Sequence, residues 1–122
     1  MVDQLAELSL FDANVGSLAE LNDLPLMTGL RSLNLHANRV SQIGQHLERQ
    51  TRLTYLNLSS NRLERMEGLH TLGELQVLDL SCNLIRMIDG LAASPKLRRL
   101  LLGYNQLELS LIHISEPTRR SA

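Results

Sequence analysis

A solenoid of the α/β class, wound right-handed, is what this sequence predicts, with short parallel strands on its concave face and short helical or 3-10 turns on its convex face. Three observations predict it: a leucine pattern that returns every 22 or 23 residues, an asparagine at the same place in each return, and an apolar content nearly free of aromatics. At 122 residues there is room for one domain. The chain has no Trp, one Phe and two Tyr. A compact core usually draws much of its buried area from aromatic rings. One built from Leu, Ile, Val and Met suggests a single packing layer repeated.

The first full repeat is Leu30-Arg-Ser-Leu33-Asn-Leu35-His-Ala-Asn38, of the form L-x-x-L-x-L-x-x-N. It returns with starts at Leu53, Leu75 and Leu97, giving Leu56, Leu58 and Asn61, then Leu78, Leu80 and Asn83, then Leu100, Leu102 and Asn105. Register persists past the asparagine, in Val40, Leu63, Ile85 and Leu107, and again in Ile43, Met66 and Ile88. Self-similarity at such a period marks a repeat architecture. An irregular turn precedes these. Leu5, Leu8 and Leu10 keep its first part and Val15, Leu18, Leu21 and Leu24 its second, but Ala13 stands where asparagine is due. Residues 1–29 are therefore expected to form an edge turn or cap, since terminal repeats have one face without a neighbour, and residues 30–108 the regular repeats.

Each segment has a physical reason. The L-x-L pair alternates with period two, which places both leucines on one face of a short strand. Stacked turns lay these strands side by side in parallel, and the apolar layers after each asparagine close the core behind them. Gly68–Leu72 and Gly90–Ser94 are too short for full helices and should make single helical or 3-10 turns. Where the chain leaves the strand its backbone groups need new partners. A carboxamide carries two donors and an acceptor, so Asn38, Asn61, Asn83 and Asn105 are expected to form a structural ladder.

The register stops after Glu108. Leu109-Ser-Leu-Ile-His-Ile-Ser-Glu-Pro-Thr-Arg119 is identical to an in-frame translation of the reverse complement of a widely used transposase sequencing adapter. Residues 109–122 are therefore expected to be foreign to the natural protein, and the repeat starting at 97 to be cut short.

Composition excludes several function classes. A formal charge of −1 supplies no net field for nucleic acid or an anionic membrane. No apolar run nears the roughly 20 residues of a membrane span, and Met1–Leu10 is not expected to act as a leader. With Cys82 the single cysteine, a soluble cytoplasmic protein without disulfides is expected. His36 is placed on the concave face, His46 and His70 on the convex one, and His113 in the tail, so no metal site is expected. Cys82 reads as a small packed side chain at a strand end. No Gly-rich phosphate loop and no nucleophile elbow is present. Asn57-Leu-Ser59 matches a glycosylation sequon, but lies mid-strand. The expectation is a protein that is no enzyme, takes no cofactor and binds no small-molecule substrate.

What remains is surface. Residues flanking the inward leucines line up in columns: Glu7, Ser32, Tyr55, Val77 and Arg99; then Ser9, Asn34, Asn57, Asp79 and Leu101; then Phe11, His36, Ser59, Ser81 and Gly103, with Tyr104 beside it. Concave solenoid faces are extended binding surfaces, and Tyr and Arg are favoured interface anchors. The partner-binding set is accordingly Ser32, Asn34, His36, Tyr55, Asn57, Ser59, Val77, Asp79, Ser81, Arg99, Leu101 and Tyr104, and the partner a protein. The convex charges Arg62, Glu64, Arg65, Glu67, Arg86 and Asp89 alternate in sign and read as a solvated surface.

The repeat length and the Asn-x-[Ile/Leu/Val]-x-x-[Ile/Met] continuation resemble the leucine-rich repeats of 22 residues typified by regulatory subunits of protein phosphatase 1. The strings Ser32–Asn38, Tyr55–Asn61, Arg65-Met-Glu-Gly-Leu69, Val77–Ile85 and Gly103-Tyr-Asn105 are similar to the N-terminal repeats of centrosomal leucine-rich-repeat and coiled-coil proteins. Arg86-Met-Ile-Asp89 departs from that wording by one substitution. The resemblance implies a leucine-rich-repeat solenoid serving as a scaffold at centrosomes or ciliary bases, attached to a coiled coil. Two alternatives stay open: a regulator gripping a phosphatase catalytic subunit, and a repeat domain appended to an enzyme.

Overall fold

A computed structural model describes residues 2–108; residues 109–122, which hold the adapter-like string, lie outside the described residues. Five three-residue strands follow one another along the chain: β1 (Glu7–Ser9), β2 (Ser32–Asn34), β3 (Tyr55–Asn57), β4 (Val77–Asp79) and β5 (Arg99–Leu101). They form one sheet in the order β1-β2-β3-β4-β5, every pairing parallel. Each strand thus neighbours only those adjacent to it in sequence, the quasi-one-dimensional arrangement of a solenoid. The register joins Leu8, Leu33, Leu56, Leu78 and Leu100 in one inward column.

The core is the stack of these columns. Leu33, Leu35, Leu56, Leu58 and Leu80 are fully enclosed, backed by Val40, Leu63 and Ile85 and then by Ile43 and Met66. At the two ends of the stack the equivalent positions, Leu8 and Leu10 at one and Leu100, Leu102 and Leu107 at the other, are only half-buried. Burial here depends on having a turn on each side.

Helical structure among the described residues is entirely 3-10. The longer first turn holds two such segments, Leu18–Glu20 and Leu24–Leu26. The first is fixed by a capping box, in which Ser17 Oγ accepts from Ala19 N–H and Glu20 Oε2 accepts from Ser17 N–H at 3.1 Å. The second carries Pro25 in its first positions. Leu91–Ala93 is a 3-10 turn as expected. The Gly68–Leu72 stretch is not, and closes through one hydrogen bond from Leu72 N–H to Leu69 O at 3.1 Å. Gly68 has φ +83°, and a Cβ there would lie 2.5 Å from the Gly44 carbonyl oxygen, so the close stacking of these turns requires glycine.

The asparagines hold the turns together. Asn61 Nδ2 donates to Leu35 O (2.9 Å) in the preceding turn and to Leu58 O (3.0 Å) and Ser59 O (3.1 Å) in its own, while its Oδ1 accepts from Val40 N–H at 2.9 Å. Asn83 repeats this with Leu58 O, Leu80 O and Ser81 O and with Leu63 N–H. Asn105 does so with Leu80 O, Leu102 O and Gly103 O and with Ile85 N–H. Asn38 binds Leu10 O, Leu35 O and His36 O, and its Oδ1 takes two amides, those of Ala13 and Val15. Two N–H bonds shared among three carbonyls make three-centred hydrogen bonds.

The ladder has a direction: every asparagine serves its own turn and the one before it. Ala13 occupies the ladder position of the first turn, with no turn among the described residues before it to serve. Immediately ahead of each ladder position the backbone enters the left-handed region, at Asp12, Ala37, Ser60, Cys82 and Tyr104, with φ between 53° and 61°. None of the five is glycine, so each turn carries a conformational cost of about 1 kcal/mol there. Cys82 is one of them and is exposed, not packed as its sequence position suggested. The bend that aims Asn83 inward turns its predecessor out.

Asn61→Ala is expected to destabilise the protein by about 3 kcal/mol, because the buried Val40 amide loses its partner and the Leu35, Leu58 and Ser59 carbonyls each lose one of two donors. Ala13→Asn should change stability by under about 0.5 kcal/mol, the range of an ordinary surface substitution. Urea unfolding followed by circular dichroism checks both. An unchanged midpoint for Asn61→Ala, or a clear gain for Ala13→Asn, would remove the directional ladder.

Candidate functional site

The inward leucines fix which side chains face outward, because successive residues of a strand point to opposite faces. The strand register therefore sets Glu7, Ser32, Tyr55, Val77 and Arg99 in one column and Ser9, Asn34, Asn57, Asp79 and Leu101 in the next. His36, Ser59 and Ser81 follow at the strand ends. Ser59 is buried, Arg99 and Tyr104 are exposed, and the remaining members of the predicted set are half-buried. Tyr104, after the last strand, is 88% exposed.

Much of this face is tied to its own backbone. Asn34 Oδ1 accepts from His36 N–H at 3.0 Å, Asn57 Oδ1 from Ser59 N–H at 2.9 Å, and Asp79 Oδ1 from Ser81 N–H at 3.1 Å. Each is an Asx turn that ends the strand. The Ser81 hydroxyl donates to the same Asp79 oxygen. β5 has Leu101 at this position and lacks the device. The sequence reading missed these turns, although Asn/Asp at the strand's last position followed two residues on by His or Ser is visible in the repeat alignment.

A chain of side chains crosses two turns. His36 Nδ1 lies 2.7 Å from Ser59 Oγ, Ser59 Oγ 2.6 Å from Asn57 Oδ1, and Asn57 Nδ2 donates to the Tyr55 hydroxyl at 3.1 Å. Proton counting orients it. Asn57 Oδ1 is fixed as the acceptor by the Ser59 amide, so the single Ser59 hydroxyl proton goes to that oxygen. His36 must then donate from Nδ1, with Ser59 Oγ accepting. A serine beside a histidine is here no nucleophile and base, because the histidine holds the proton on the facing nitrogen. The sequon residue Asn57 is likewise engaged, its amide bound to Tyr55 and its oxygen to Ser59.

Two buried side chains behind the sheet escaped the sequence reading. Gln50, fully enclosed, donates from Nε2 to Leu24 O at 2.6 Å, and Ser94 Oγ donates to Leu72 O at 2.9 Å. Both stand three residues before a repeat start and reach back one turn, a convex counterpart of the ladder. Among the described residues no three His, Cys, Asp or Glu side chains gather as a metal site, and no helix is long and apolar enough to cross a membrane. On the convex flank Glu64, Arg65, Glu67, Arg86, Met87 and Asp89 line an open groove, and Arg86 is paired with Glu108, Nε to Oε1 at 2.9 Å. Both partners of that pair are largely exposed, so it contributes little.

Comparison with known proteins agrees with this architecture. Residues 51–93 match the family described as leucine rich repeats (2 copies). A mouse geranylgeranyl transferase type-2 subunit alpha is 44% identical over 66 residues, which is 53% of this chain and 12% of that protein. An Arabidopsis thaliana protein phosphatase 1 regulatory inhibitor subunit homologue is 37% identical over 107 residues, 88% of this chain and 33% of that one. The solved structure of a leucine-rich-repeat protein from Leptospira interrogans superposes with a TM-score of 0.76 at 23% identity, over 86% of this chain and 27% of that one. The chain thus shares the solenoid fold of leucine-rich-repeat proteins and matches their repeats over residues 51–93, and it spans between 12% and 33% of the length of the two curated relatives.

Neutral His36 is expected to be the Nδ1–H tautomer, the reverse of the preference of free imidazole. Ring-nitrogen NMR shifts of the neutral ring check this. Ser59→Ala should relax the preference. An Nε2–H ring in the wild-type protein would break the proton count.

Proposed function

We propose that this chain is a protein-interaction module whose concave face, from Tyr55 to Arg99 and Tyr104, is its docking surface. The observation that carries the reading is the placement of Tyr55, Val77, Arg99, Leu101 and Tyr104 on one face, each projecting from a strand or strand end that the core holds rigidly. Rigid presentation limits the ordering cost of binding, and Tyr and Arg are the side chains that most often anchor interfaces. The relatives support it from another direction. A prenyl-transferase subunit and a phosphatase regulator share with this chain a stretch of repeats and not an activity by name, so the shared part is best read as a contact surface.

A second reading is favoured by one specific observation. The likeness to the phosphatase 1 regulatory inhibitor subunit homologue runs over 107 residues, 88% of this chain. On this reading the partner is a protein phosphatase 1 catalytic subunit. The centrosomal scaffold reading rests on the resemblance of the strings between Ser32 and Asn105, Ser81–Ile85 the most telling of them, and has weaker support.

A photo-cross-linking residue placed at Val77 on the concave face and, separately, at Glu48 on the convex side distinguishes the surfaces. Adducts from position 77 and none from 48 are expected; equal yields, or adducts from 48 alone, would overturn the docking assignment. Purified phosphatase 1 catalytic subunit tests the second reading by calorimetry. Saturable binding at micromolar concentration, weakened by Tyr55→Ala with Arg99→Ala, is the expected result. An absence of heat at that concentration would remove the phosphatase and leave the module to the cross-linking result.

A further inference from the structure

The two halves of the concave face differ in charge. The strand-start half has two adjacent columns, one of strand residues and one, at the edge of the face, of the residues just before each strand. One is Arg31, Thr54, Gln76 and Arg98, tied turn to turn where Arg31 O accepts from Thr54 N–H, Thr54 O from Gln76 N–H and Gln76 O from Arg98 N–H, each at 2.8 Å. The other is Ser32, Tyr55, Val77 and Arg99. From β2 to β5 these columns hold three arginines and no carboxylate. Arg31, Arg98 and Arg99 are all exposed, and among the described residues none of their guanidinium groups makes a hydrogen bond or ion pair. Lys96 and Glu74, nearby, neutralise one another at 2.8 Å. The strand-end half carries no Arg or Lys, and has Asp79. Glu7 on β1 stands at the far end and closes the basic stretch.

Spacing adds a length. Arg31 and Arg98 stand three inter-strand steps apart, about 14 Å. A segment laid across the strands in extended form advances about 3.3 Å per residue and points alternate side chains to one face. Its residues i, i+2 and i+4 would then face the sheet over about 13 Å, so that the first and last meet the arginines at the two ends. The middle one falls on Tyr55 and Val77, the half-buried apolar pair between them.

We infer that the strand-start half of the concave face recognises an extended segment of the form acidic-x-apolar-x-acidic. The carboxylates pair with Arg31 at one end and with Arg98 and Arg99 at the other, and the apolar side chain rests on Tyr55 and Val77. This rests on the concave face being the docking surface and adds the partner's chemistry and direction across the strands. A peptide fits better than a polyanion such as nucleic acid. The basic stretch is short, it is bounded by Glu7, and an apolar contact divides it.

The test uses the whole chain, isotope-labelled, titrated with three blocked peptides: Glu-Ser-Leu-Ser-Glu, Glu-Glu-Leu-Ser-Ser and Lys-Ser-Leu-Ser-Lys. Amide shifts confined to Thr54, Tyr55, Gln76, Val77, Arg98 and Arg99 are expected for the first peptide. Its affinity should exceed that of the second by about fivefold, fall as salt approaches about 0.15 M as rim charge pairs do, and drop about tenfold in Arg98→Glu with Arg99→Glu. Both substituted side chains are exposed and unbonded, so the variant keeps its fold, which its amide spectrum verifies. Equal binding of the first two peptides, binding of the lysine peptide, indifference to the charge reversal, or tighter binding of a thymidine oligonucleotide at the same amides would each overturn the inference. If the peptides fail while cross-linking at Val77 succeeds, the partner chemistry is wrong and the docking face stands. If both fail, the face itself is wrong.

Discussion

Every turn of this solenoid depends on one carboxamide facing backward. A strand of three residues is too short to hold a parallel sheet by its own ladder, and the chain leaving it exposes carbonyls and amides to an apolar interior. Asn38, Asn61, Asn83 and Asn105 meet that demand because a carboxamide supplies two donors and an acceptor within one short, neutral side chain. A carboxylate would bring no donor, and a hydroxyl would bring one. Each asparagine joins its own strand end to the strand end before it, so the stack is closed in one direction along the chain. Ala13 is intelligible on the same ground, since the first turn is bound by Asn38 and has no earlier described turn to bind.

From that stacking the concave surface follows. Once Leu33, Leu56 and Leu78 are fixed in register, their neighbours must stand in columns about 4.8 Å apart. The Asx turns at Asn34, Asn57 and Asp79 then consume polar capacity that would otherwise compete for a partner, while the Tyr55–Asn57–Ser59–His36 chain holds two adjacent turns in one arrangement. What stays unspent is Arg31, Arg98, Arg99 and Tyr104. The face is thus a prearranged floor with a few open groups at its margin.

Much of this could be read in the sequence. The parallel stack, the inward leucines and the columns follow from spacing alone, because the period of 22 to 23 residues superimposes like positions and the alternation in L-x-L assigns faces. Less legible were features that depend on contacts between turns. Cys82 looked like a small packed residue, but the left-handed bend that points Asn83 inward carries it outward. Gln50 and Ser94 share a repeat position with Met27 and Leu72, so no shared side chain marked their backward hydrogen bonds. The arginine-rich margin went unread because Arg31 and Arg98 precede the strands and belong to none of the columns drawn from the L-x-L alternation, and only the turn-to-turn backbone bonds set them in line.

Native-state hydrogen exchange in Asn61→Ala tests the ladder most directly. Val40 N–H is bound by Asn61, whereas Leu63 N–H, in the altered turn itself, is bound by Asn83. The backward ladder requires the Val40 amide to lose far more protection than the Leu63 amide, relative to global unfolding. Equal loss at both amides, or retained protection at Val40, would show that the asparagine does not bind the turn before it.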